Sequence, residues 1–70
     1  MRRSAIDSST MNSAGYAEEK KILEIEFSLG EVYHYFDVPK EIFIGLLKAD
    51  SAGKYFNYRI KGKYSFQKIS

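Results

Sequence analysis

The chain has 70 residues, with 44% hydrophobic residues, six tyrosines, five phenylalanines and no cysteine, which suffices for one small core and excludes disulfides and thiolate-held zinc. Its net charge of +2 hides an asymmetry: residues 1–53 hold six bases against nine acids, whereas residues 54–70 hold five bases and no acid, which directs the C-terminal end toward an acidic partner. No apolar run approaches the roughly 18 residues of a membrane span, and Arg2-Arg3 leads into Ser4-Ala5-Ile6-Asp7 rather than a hydrophobic stretch, so a cytoplasmic protein without membrane contact is expected.

Residues 1–9 are polar and show no period, which predicts a flexible tail ahead of a single domain over residues 10–70. Thr10 to Tyr16 is a weak strand candidate with Gly15 allowing a bend, expected at the edge of the sheet. After the polar turn Ala17-Glu18-Glu19-Lys20, two alternating runs, Leu23 to Phe27 and Glu31 to Phe36, flank Ser28-Leu29-Gly30 and read as a β-hairpin. Loop length decides which side chains are buried. A two- or four-residue loop sets Phe27 opposite Val32 and His34 on the apolar face; a three-residue loop with Gly30 in the left-handed position moves Tyr33 and Tyr35 there instead. The second is favoured, because it leaves His34 outside beside Glu24 and Glu26, where opposite charges across a sheet attract.

Pro39 suits the first position of a helix, and Ile42, Phe43, Leu46 and Leu47 then form one apolar stripe, read as core. Gly45 within it costs about 1 kcal/mol against alanine, pointing to a close approach to the sheet. Ser51 is a good N-cap for a second helix reaching Arg59 or Ile60, with Phe56 and Ile60 inward, Lys54 and Tyr58 outward, and Gly62 as its end. Lys63 to Lys68 alternates, consistent with a short final strand carrying Tyr64 and Phe66 on one face. The predicted fold is therefore α+β: a three-stranded antiparallel meander, two short helices and a possible fourth strand.

These spacings resemble the KTSC domain, a module named from the C-terminus of some lysyl-tRNA synthetases and found also as small stand-alone proteins. The resemblance runs from Ser8-Ser9 through Gly15-Tyr16, Leu23 to Phe27, Gly30, Tyr33-His34-Tyr35 and Val38-Pro39, and on through Leu46, Ala49, Ser51, Gly53, Tyr55-Phe56-Asn57, Ile60-Lys61 and Tyr64. The central Tyr33-x-Tyr35 and the block from Ser51 to Asn57 are its specific parts. Met11 and Ala14 depart from it where larger branched residues are expected, and Asn12 stands where a basic residue is common. What the resemblance implies about function is RNA binding, by way of the attachment to a tRNA synthetase.

For chemistry, His34 with Glu24 and Glu26 could form a base with an orienting carboxylate or a small metal site, but alternating charges on a solvated sheet give the same pattern. No catalytic residue, metal ligand or cofactor is assigned. Nucleic-acid binding is the sharper reading. Lys54, Tyr58, Arg59, Lys61, Lys63 and Lys68 intermix cations with aromatic rings, the pairing that holds phosphates and bases, and RNA is the favoured ligand. With Tyr55, Phe56, Tyr64 and Phe66 in the core, that face would hold few stacking platforms and suit the backbone of structured RNA. The competing class is a protein-interaction module, an adaptor or inhibitor docking on a larger protein, or a homodimer pairing through the Thr10–Tyr16 edge.

Overall fold

The computed structural model describes residues 2–70. Five strands, β1 (Arg3–Ala5), β2 (Met11–Ala17), β3 (Ile22–Phe27), β4 (Val32–Tyr35) and β5 (Phe66–Lys68), form one antiparallel sheet in chain order. Helices α1 (Lys40–Lys48) and α2 (Ala52–Arg59) lie between β4 and β5 in the chain. The fold is α+β, as the patterning predicts, with β5 in the place of the possible fourth strand and β1 added at the other side.

The hairpin has the three-residue loop. The Phe27 amide donates to the Glu31 carbonyl at 2.7 Å, Gly30 adopts φ +94°, and Leu23 pairs with Tyr35 and Ile25 with Tyr33. Leu23, Ile25 and Tyr35 are consequently buried under the helices, while Glu24 and His34 pair on the opposite face. Strand β2 carries a bulge at Asn12: Met11 faces Phe27 and Ser13 faces Glu26, leaving Asn12 the extra residue. The bulge turns both Met11 and Ala14 into the core, although they are three residues apart, and the Asn12 amide donates to the Phe27 carbonyl at 3.2 Å.

Two expectations about the N-terminal part are corrected. Within the presumed tail, residues Arg3–Ala5 form β1, with Arg3 opposite Gly15 and Ala5 opposite Ser13. Its side chains are all exposed, so no apolar period marked it in the sequence. The β2 strand, expected at the edge, therefore lies inside the sheet, and the outer strands are β1 and β5.

The helices close one face. Ile42 and Leu46 of α1 and Ala52 of α2 are buried, together with Val38 and Ile60 that flank them, while Leu47, assigned to the apolar stripe, is 38% exposed. Pro39 precedes the helix as its N-cap residue, φ −63° and ψ 148°, rather than occupying its first turn. Gly45 does mark a close approach, but to α2 and not to the sheet: a Cβ there would lie 2.7 Å from Cζ of Tyr55 and nearer still to its hydroxyl. On the sheet, Phe43 stacks on Tyr16 of β2, and Phe56 meets Phe27 and Tyr35 edge-on, so α1 covers the β2 side and α2 the β3–β4 side. The Tyr16 hydroxyl ties the two layers by donating to the Val38 carbonyl.

Candidate functional site

The α2 helix starts where Ser51 accepts a hydrogen bond from the Lys54 amide at 3.3 Å. From that start Ala52 and Ile60 point inward, and Lys54, Tyr58 and Arg59 point out, Tyr58 being 77% exposed. The Arg59 guanidinium lies 5.8 Å from the Tyr55 ring centre, a cation–π contact that directs it along the helix. At the C-terminus the Ile60 and Lys61 amides both donate to the Phe56 carbonyl, and Gly62 reverses the chain with φ +75°. That reversal sends Lys61 and Lys63 into two different depressions.

One depression holds Tyr58, Arg59, Lys63 and Tyr64. The other receives Lys61 and is described below. Of the six residues assigned from sequence, Tyr58, Arg59 and Lys63 thus converge and Lys61 stands beside them across the Gly62 turn. The remaining two are elsewhere. Lys54 borders a hollow shared with Asp7 and Asp50, and Lys68 extends from β5 to an ion pair with Glu31 at 3.2 Å. Lys68 is thereby paired with an acid and Lys54 stands in a hollow that acids also line, which the charge count over residues 54–70 could not reveal.

The second depression is a groove of about 330 Å³ whose walls are Phe27, Tyr33, Tyr35, Phe56 and Phe66, with Lys61 at the rim. Its floor exists because the three-residue hairpin loop puts Tyr33 and Tyr35 on the helix side, while α2 stops over β4 and leaves β5 uncovered. Phe66 pairs with Tyr35 at 5.7 Å and Tyr33 at 5.8 Å between ring centres, yet remains 59% exposed. Phe66 was expected on one face of the final strand with Tyr64, with burial of both in the core as one alternative. Instead Tyr64 lies before β5, packs on the core from the other side of the turn, and leaves Phe66 as an open platform.

On the opposite face of the sheet, Arg3 reaches across Gly15 of β2. Its Nε lies 3.0 Å from Glu24 Oε2 and its Nη1 3.1 Å from Glu26 Oε1; the other Glu24 oxygen is 2.7 Å from His34 Nε2. Each carboxylate is already engaged by a cation or the imidazole, so the cluster works as a polar clasp across β1 to β4. Among the described residues no three histidine, cysteine or acidic side chains gather as a metal site, and no helix is long and apolar enough to cross a membrane.

The profile of the KTSC domain matches residues 7–64. The chain belongs to the KTSC domain family. It is 47% identical over 64 residues to an uncharacterized protein of Stutzerimonas stutzeri, covering 91% of this chain and 90% of that one. It is 39% identical to a segment of a lysine–tRNA ligase of Nostoc punctiforme, covering 91% of this chain but 11% of the ligase. The crystal structure of a KTSC domain protein from Yersinia pestis superposes with a TM-score of 0.94 at 35% identity, covering 99% of this chain and 97% of that one. In this KTSC domain the two specific parts of the pattern meet in space: Tyr33 and Tyr35 line the groove floor and Phe56 its helical wall.

Proposed function

We propose that this KTSC domain is a non-enzymatic nucleic-acid-binding module of the cytoplasm, with RNA as its ligand, gripping phosphates through Arg59, Lys61 and Lys63 with Tyr58 beside them. The observation that carries this reading is the convergence of Tyr58, Arg59 and Lys63 on one exposed depression, with Lys61 one turn away. Guanidinium and ammonium groups on a solvated surface suit phosphate oxygens, and exposed tyrosine adds a ring for sugar or base. The likeness to segments of lysine–tRNA ligases, whose name places tRNA at the parent enzyme, supports RNA over DNA.

The test is a titration of the purified domain with labelled single-stranded RNA, structured RNA and duplex DNA at two salt concentrations, beside a Lys61→Glu/Lys63→Glu variant. Three neutralised phosphates on a single strand give a slope of log K against log salt near about −2. Micromolar binding that weakens with salt and is lost in the variant is the expected result. Absence of binding at low salt overturns the reading, and a single stoichiometric complex with a protein would then favour the alternative of an interaction module.

A further inference from the structure

Resting on the RNA-binding reading above, we infer that the aromatic groove holds one unpaired nucleobase, stacked against Phe66 and Tyr33, while the adjoining phosphate sits on Lys61. Three observations lead there. First, the walls are aromatic, and Phe66 keeps 59% of its surface open although its neighbours Tyr33 and Tyr35 are half-buried and buried. An open ring beside tilted rings offers a face to a flat partner, and every base has a π-face to give it. Secondly, the volume of about 330 Å³ lies at the low end of small-ligand sites, which suits a single ring system rather than a helix or strand.

Thirdly, charge is arranged for a strand that enters base first. Lys61 stands at one rim, and beyond Gly62 Lys63 joins Arg59 in the neighbouring depression, so the backbone has cations to follow once the base is seated. At the other rim lies Glu31, its carboxylate an acceptor able to meet the polar edge of a base and itself paired with Lys68 at 3.2 Å. The next hollow along the hairpin shares Phe27, Glu31 and Phe56 with the groove and adds Asn57, extending the path for the flanking nucleotide. A paired base cannot enter, because its faces are covered by the stack. The domain therefore selects unpaired or looped RNA over duplex, in contrast to the backbone-only recognition that an entirely buried aromatic set would impose.

The experiment uses a ten-nucleotide RNA carrying 2-aminopurine at one position, free or annealed to its complement, with wild-type domain, Phe66→Leu, Phe66→Tyr and Lys61→Glu/Lys63→Glu. Wild type is expected to alter the 2-aminopurine emission in the single strand and not in the duplex. Loss of one stacked base should weaken single-strand binding by roughly 10-fold in Phe66→Leu, which keeps apolar bulk, while Phe66→Tyr keeps the ring and the affinity. The lysine variant should lose binding to both forms. Equal affinity of wild type and Phe66→Leu, with binding still lost in the lysine variant, overturns base insertion and leaves phosphate binding standing; no binding by any form overturns both. Circular dichroism of each variant checks that the fold is retained.

Discussion

At the scale of single residues, the close approach of Gly45 to Tyr55 constrains how the two helices pack. A Gly45→Ala change would gain about 1 kcal/mol of helix propensity. It would also push a methyl group into the Tyr55 ring, which is wedged between the helices and carries Arg59 on its face. Overpacking of this kind costs about 1–3 kcal/mol, so the variant should unfold at lower urea despite its better helix former. Adding Tyr55→Ala to it should prove non-additive, since the second change removes the clash created by the first. Sequence reasoning saw that Gly45 was unusual but attached it to the sheet, because helix periodicity shows which side faces inward and not which neighbour stands there. Phe66 illustrates the same limit. Its aromatic character suggests burial, whereas its exposure is decided by where α2 ends.

At the scale of elements, the hairpin was legible because loop length, glycine position and the fate of His34 all required one register. The β2 bulge was not, since nothing local to Asn12 distinguishes an extra residue from a paired one. Strand β1 was invisible for a different reason: what attaches it is the backbone ladder and the reach of Arg3 across Gly15, a residue without a side chain to block the way. The ion pairs are partly exposed, so each contributes no more than about 1 kcal/mol to global stability. Their local effect should be larger. In an Arg3→Ala chain, the Ile6 amide, which donates to Asn12, is expected to exchange with solvent faster by hydrogen exchange read by NMR, while the urea midpoint moves little. A large drop in that midpoint, or unchanged exchange, would show that the clasp does not hold the strand.

At the scale of the whole molecule, the protonation of Tyr35 links the core to pH. Burial, with the neighbouring Tyr33 adding to it, pushes the Tyr35 phenol up to about 12 from the ordinary 10. The folded state therefore keeps this proton where the unfolded chain releases it. Its contribution is fully present below pH 10 and is lost as pH rises from 10 toward 12, a change of roughly 2–3 kcal/mol. Urea denaturation at pH 9 and 11.5 should show that decline, and Tyr35→Phe should remove this part of it. The order of the strands has a kinetic meaning as well. Strands β1 to β4 are neighbours in both chain and space, so each pairing closes a short loop, whereas β5 returns only after both helices have passed between it and β4. Its pairing closes the longest loop in the sheet. β5 is then expected to pair last in folding and, because it carries Phe66, one wall of the groove should open independently of the core, which faster amide exchange in β5 than in β3 would show.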